Sequence, residues 1–173
     1  MKDLQIDNLS KNVALIPLLA RWHHQQWGEL TGASSIDDYI NILSKHASSK
    51  SVPLTLLAIN GGTLLGSVNI VESDLDIRPE LTPWLAQLYV PPEQRNKGIG
   101  SALVAKAIFQ ASELGYEVLY LYTSGSLPDY YEVLGWTIRE TLTYKGKIRT
   151  VMEIKVPVNQ SLKPIAAPWA APA

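Results

Sequence analysis

The chain contains no cysteine, which excludes a disulfide framework, a zinc–thiolate site, an iron–sulfur cluster and a thiol nucleophile. Charge is scarce as well: 18% of the residues are Asp, Glu, Lys or Arg, against a usual value of about 25%. The 15 basic and 16 acidic residues leave a net charge of −1. A dedicated nucleic-acid binder needs a basic excess to neutralise phosphates, and this chain has none. Intrinsic disorder needs low hydrophobicity with high charge, whereas 46% of these residues are apolar. Long apolar runs are also missing, none approaching the roughly 18 residues of a membrane span. The first residues, MKDLQIDNLSKN, are polar where a secretory signal would place its apolar stretch. A soluble, cytoplasmic protein with no membrane or nucleic-acid partner is expected. Its 173 residues suit one domain of roughly 100–200 residues, expected over 1–157 with a Pro/Ala-rich extension over 158–173.

Hydrophobic period organises the rest. Leu15, Ile16, Leu19, Trp22 and Trp27 recur mostly three or four apart, which predicts a helix over Val13 to Trp27 with Gly28 as its stop. Ser35 caps a second helix running towards His46. The period then shortens. Leu54 to Ile59 and Leu64 to Val71 flank Asn60-Gly61-Gly62, a pattern for two strands joined by a tight turn. Trp84 to Val90 reads as a further strand ended by Pro91 and Pro92. A glycine-containing loop, an alanine-rich helix over Ser101 to Leu114 and a strand over Val118 to Tyr122 follow. Asp129 to Leu134 reads as a short helix, and Trp136 to Tyr144 and Ile148 to Val156 as closing strands around Lys145-Gly146-Lys147. The order of elements predicts an α/β (α+β) domain, a mixed sheet flanked by helices.

The loop before the alanine-rich helix carries the most chemistry. Within Leu88 to Leu103, LYVPPEQRNKGIGSAL, stands Arg95-x-x-Gly98-x-Gly100. Glycines there let the backbone pass close to a ligand, and the helix start offers unpaired N–H groups and a positive dipole end. Together they suit a pyrophosphate, with Arg95 and Lys97 as charge partners. A dinucleotide fingerprint wants Gly or Ala where Leu103 stands, and an ATPase phosphate loop wants Gly-Lys-Ser/Thr after four spacers. Neither is present.

The strand LYV, the segment PPEQRNKGIGSALV and the later YYEVLGW resemble the two signature regions of the GNAT acyltransferase superfamily. The likeness is sharp over Leu88 to Trp136 and topological over residues 4 to 156. It implies a single domain with a central, mostly antiparallel, twisted sheet of six or seven strands, about four helices and a V-shaped splay after the central strand. It also implies acetyl-CoA as co-substrate. The amides of Asn96, Lys97, Gly98, Ile99, Gly100 and Ser101 would hold its pyrophosphate, Arg95 would shape the loop, and the backbone of Leu88, Tyr89 and Val90 would bond the pantetheine arm. Thr123, with Ser124 and Ser126, stands where the family often has a pantetheine-binding Asn.

The same likeness places a general acid at Tyr131, four residues before Gly135, with Tyr130 as fallback. A phenol near its ordinary value of about 10 stays protonated at neutral pH and can protonate a leaving thiolate. For the base, the strand Trp84 to Val90 has only Gln87, which orients water but cannot take its proton. Glu72 is the first candidate, and Asp74 and Asp76 are the next. The acceptor groove would be lined by Trp22, His23, His24, Trp27 and Tyr39, or these form core. The acidic run Glu72, Asp74, Asp76 and Glu80 would steer a cationic amine. Adjacent His23 and His24 point to different helix faces and make no metal pair, so no metal is expected. The expected activity is acetyl transfer to a small-molecule or peptide amine by a monomer or homodimer. The alternatives are a CoA-binding module of weak catalysis and an O- or longer-chain acyltransferase.

Overall fold

The computed structural model describes residues 3–31 and 35–157. Its elements run β1 (Leu4–Asn8), α1 (Ile16–Thr31), α2 (Ile36–Ser48), β2 (Leu54–Asn60), β3 (Thr63–Val71), β4 (Trp84–Tyr89), α3 (Ile99–Glu113), β5 (Val118–Thr123), α4 (Leu127–Val133), β6 (Thr137–Tyr144) and β7 (Lys147–Lys155). The sheet order is β1-β2-β3-β4-β5-β7-β6. Every neighbouring pair is antiparallel except β4 and β5, which run parallel. Seven strands and four helices match the expected architecture. The residues expected to form the extension, 158–173, lie outside the described ones.

Local chemistry explains most boundaries. The Ser35 hydroxyl accepts from the Asp38 amide at 3.1 Å, and the Asp38 carboxylate accepts from the Ser35 amide at 3.0 Å. Such a reciprocal cap contributes about 1 kcal/mol. Gly61 and Gly62 turn the β2–β3 hairpin with φ of +55° and +80°, the pair of positive values that a two-residue hairpin loop demands. Three expectations shift. β1 was not marked by the sequence, because its five residues pair with β2, far along the chain. Helix α1 begins only after a 3-10 turn over Val13–Leu15, and it runs through Gly28 instead of stopping there. A Cβ on Gly28 would lie 3.1 Å from the His24 ring, so this glycine makes room for an imidazole. Helix α3 starts at Ile99, two residues earlier than expected.

The sheet is covered on both faces. Leu56 and Ala58 of β2 join Leu103, Val104 and Ala107 of α3 in one core. Leu57 and Ile59, pointing the opposite way, pack with Leu19, Tyr39 and Leu43 of α1 and α2. A third cluster of Leu75, Leu81, Trp84, Tyr144 and Val151 anchors the loop between β3 and β4.

The feature that positions the site is the parallel pair. Its ladder registers Trp84 against Tyr120, and the Tyr120 amide donates to the Pro83 carbonyl at 3.0 Å. Beyond that point the strands part. Ser67 pairs with Tyr89 but Asn69 pairs with Ala86, so Gln87 and Leu88 together oppose Val68 in a β-bulge. Gln87 adopts φ +50°, a left-handed conformation that costs a non-glycine residue about 1–2 kcal/mol. The bulge bends β4 onto Gly66, where a Cβ would stand 2.8 Å from the Tyr89 carbonyl oxygen. A V-shaped opening between β4 and β5 is the result.

Candidate active site

A cleft of about 650 Å³ fills this opening. Of the residues expected to hold a donor, Leu88, Tyr89, Val90, Arg95, Asn96, Gly98, Ile99, Gly100, Ser101 and Thr123 line it. Lys97 does not. Its ammonium donates back to the Glu93 carbonyl at 2.9 Å and to Gln94 Oε1 at 3.1 Å. Arg95 Nε donates to the Val90 carbonyl at 2.9 Å, tying the loop to the end of β4.

The glycines of this loop have different jobs. Gly98 caps α3 with φ +79°, and a Cβ there would meet nothing within 4 Å. Conformation, not crowding by the protein, selects glycine at that position. Ala102 N–H donates to the Gly98 carbonyl, so the amides of Ile99, Gly100 and Ser101 precede the first helical hydrogen bond and have no intrahelical acceptor. These donors, at the positive end of the helix dipole, form the anion-ready wall of the cleft.

The two adjacent tyrosines of α4 separate. Tyr131 is 8% exposed and packs edge-on against Trp136 and Tyr130 at ring distances of 6.0 and 5.0 Å. Burial holds its phenol well above the ordinary range, and its hydroxyl has no hydrogen-bond partner among the described residues. Tyr130 instead places its hydroxyl 3.4 Å from Ser101 Oγ, over the start of α3. Both line the cleft.

The acidic run divides. Glu72, Asp76 and Glu80 are exposed and lie outside the cleft wall, whereas Asp74 lines it. Burial raises the Asp74 carboxyl to about 6, and no hydrogen bond or ion pair engages it among the described residues. Leu75 beside it is fully buried and anchors this part of the loop to the third cluster. Tyr122 stands close by, its phenol pushed up to about 12 by burial first and by the Asp74 charge second.

Gln87 is held from behind by a buried polar chain. Thr55 Oγ1 donates to Asn69 Oδ1 at 2.8 Å, and Asn69 Nδ2 donates to Gln87 Oε1 at 2.7 Å. His46 Nδ1 lies 2.9 Å from Thr55 Oγ1. Because the threonine proton is committed to Asn69, His46 is the donor, which sets its tautomer. Burial lowers His46 to about 4, so the ring is neutral at pH 7. With Oε1 occupied, Gln87 has its amide N–H groups free for the cleft.

Of the aromatic and histidine residues on α1 and α2, Trp27 lines the cleft. Trp22 and Trp27 both pack against Tyr89, at 5.5 and 5.9 Å. His23 is fully buried, bonded to Ser67 at 3.0 Å, and burial lowers it to about 3. Tyr39 is core.

A second cavity of about 360 Å³ shares Gln26, Trp27, Asp74, Gln87, Tyr122 and Thr123 with the first. Its far wall is Tyr144, Lys145, Lys147 and Arg149. Sequence reasoning treated that hairpin as a turn only. The available signal was the two-residue spacing of Lys147 and Arg149, which puts both on one strand face.

A parallel pair prised apart beside a glycine-bounded helix start is the arrangement that the sequence likeness implied. The sequence model of the acetyltransferase (GNAT) family matches residues 16–136. The chain belongs to that family. Its fold resembles an acetyltransferase of the GNAT family from Streptococcus pneumoniae, with a TM-score of 0.67 and 23% identity, covering 90% of this chain and 100% of that one. It also resembles an aminoglycoside 6'-N-acetyltransferase complexed with coenzyme A, with a TM-score of 0.70 and 18% identity over 88% of this chain and 97% of that one. A third is the spermidine/spermine N-acetyltransferase SpeG from Vibrio cholerae, at 0.63 and 18% over 89% and 93%. No curated protein matches the chain in sequence. Among the described residues, no group of His, Asp and Glu is arranged to hold a metal ion, and no helix is long and apolar enough to cross a membrane.

Proposed function

We propose that the protein transfers an acetyl group from acetyl-CoA to a primary amine by direct attack within a ternary complex. The observation that carries this reading is the joining of two unlike ends in one cleft: unpaired amides at the start of α3, and the unpaired Asp74 carboxyl where the second cavity begins. The amides of Ile99, Gly100 and Ser101, with Asn96 and Gly98, take the donor's pyrophosphate. The bulged backbone of Leu88, Tyr89 and Val90 bonds the pantetheine arm and the thioester carbonyl, as an open strand edge does.

Asp74 takes the base role in preference to the exposed Glu72. With its carboxyl near 6 it is ionised at pH 7 and above, and it accepts a proton from the acceptor ammonium directly or through water held by Gln87. The neutral amine then forms the C–N bond, the carbonyl oxygen gathers charge, and the C–S bond breaks as Tyr131 gives its proton to sulfur. The surplus proton on the new amide nitrogen passes through water to the Tyr131 phenolate, which restores the acid. Tyr131 suits that task because burial keeps it protonated and its hydroxyl is otherwise unengaged.

One observation favours a second reading, a CoA-binding module of weak catalysis: β4 presents Gln87 where a carboxylate could stand. Thiol release from acetyl-CoA in the presence of mixed amines separates the two. Amine-dependent release supports transfer. CoA binding without release supports the module, and no CoA uptake at millimolar levels overturns both.

A further inference from the structure

The acceptor end of the cleft is charged in a way that the acetyl-transfer reading leaves unused. We propose, resting on that reading, that the accepted amine carries an anionic oxygen group, carboxylate or phosphate, held by Arg149 and Lys147. Around the second cavity stand three cations, Lys145, Lys147 and Arg149, against the single carboxylate Asp74. The acidic run that the sequence offered for steering a cation contributes only Asp74 to this wall.

Among the described residues these cations meet aromatic rings, Lys145 over Tyr144 at 5.1 Å and Arg149 over Tyr122, but no carboxylate. Nearby Arg78 is bonded to Glu140 at 2.8 and 2.6 Å, and Arg139 is paired with Glu153 at 2.7 Å. Arg149, on the same hairpin, has no carboxylate within 4.0 Å among the described residues, and neither do Lys145 and Lys147. Arg149 Nε is moreover buried without an acceptor. The protein therefore gives this cation neither a counter-ion nor an acceptor at Nε, and an oxyanion from a ligand at its terminal nitrogens supplies the missing counter-charge.

The guanidinium is also held ready. Its Cζ lies 5.7 Å from the Tyr122 ring centroid, a cation–π contact that draws the guanidinium to the cavity wall, where its terminal nitrogens suit a two-oxygen acceptor. Asp74 forms no ion pair with it among the described residues, the ion pairs there being Lys11–Asp7, Arg78–Glu140 and Arg139–Glu153. The site thus offers a base for an amine and, across the same cavity, an unfilled fork for an oxyanion. A volume of about 360 Å³ fits a small molecule.

The test is acetyl transfer by the full chain to length-matched amines: δ-aminovalerate, its amide and cadaverine, with O-phosphoethanolamine against ethanolamine distinguishing phosphate from carboxylate. At least one anionic member is expected to exceed its neutral and dicationic counterparts about tenfold in kcat/KM. Arg149→Gln should raise KM for that member about tenfold, change kcat little and leave the neutral amide's KM unmoved. Lys147→Gln, at an exposed position, should give a smaller shift of the same sign. Preference for cadaverine or the neutral amines overturns the inference while leaving acetyl transfer standing. Transfer to no amine at all overturns both.

Discussion

The Tyr130 hydroxyl oxygen lies 2.9 Å from the point a Cβ on Gly100 would occupy, so the absence of a side chain at the start of α3 is what lets the α4 phenol reach over the helix amides. Gly100→Ala should displace Tyr130 into the donor cleft and weaken CoA binding about tenfold, roughly 1.4 kcal/mol. Gly100→Ala combined with Tyr130→Phe, which removes the clashing oxygen, should recover most of that loss. Titration calorimetry with CoA on the two variants and on Tyr130→Phe alone checks it. Additive effects would show that the contact does not govern binding.

Tyr131→Phe should lower kcat by about a hundredfold, the usual scale for losing a proton donor, while CoA affinity stays near wild type. The substitution removes a proton and almost no contact area from a ring packed against Trp136. Steady-state rates beside CoA titrations decide the matter. Full activity in Tyr131→Phe, with loss in Tyr130→Phe, would move the acid to its neighbour.

Asp74 gives two pH signatures. Its raised carboxyl predicts a rate limb rising through about pH 6, absent in Asp74→Asn and retained in Glu72→Gln. For stability, burial favours the protonated form. The benefit is full below the ordinary carboxyl value near 3.8 and is lost as pH rises through about 6. Asp74→Asn should therefore melt above wild type at pH 8 and level with it at pH 3.5 to 4. Equal melting at pH 8 would mean that the carboxyl is not desolvated.

His46 acts in the opposite sense. Burial depresses the ring to about 4, so its contribution is present above the ordinary value of 6.5 and is lost as pH falls towards 4. Thr55→Val should cost about 1–3 kcal/mol by stranding both the His46 donor and the Asn69 acceptor. It should also lower kcat by loosening Gln87. Urea unfolding at several pH values checks the first effect, and assays at fixed CoA check the second. A kcat unchanged in a destabilised Thr55→Val protein would confine the polar chain to a structural role.

Features set by neighbours in sequence were readable before the structure. The Gly61-Gly62 turn, the Ser35 cap and the glycine loop at Gly98 each follow from local backbone requirements. The donor residues followed from their resemblance to the GNAT signature. What escaped depends on distant partners. β1 exists because β2 offers an edge, and Gly28 serves His24 instead of ending a helix. Three carboxylates crowd Glu72 to Asp76, and nothing local in the sequence marks Asp74 as the one that lines the cleft. Arg149 reads as one more strand cation until its salt-bridged relatives, Arg78 and Arg139, show what it lacks.

The Trp84–Tyr120 rung has a mechanical meaning. It joins two leaves of sheet, β1 to β4 and β5 to β6, that otherwise part company along their length. A molecule lodged in the gap supplies the missing rungs and fastens one leaf to the other. Saturation with a bound thioester should therefore slow amide exchange furthest from Leu88 to Val90, at the end of β4, where the protein's own backbone has left the seam unstitched.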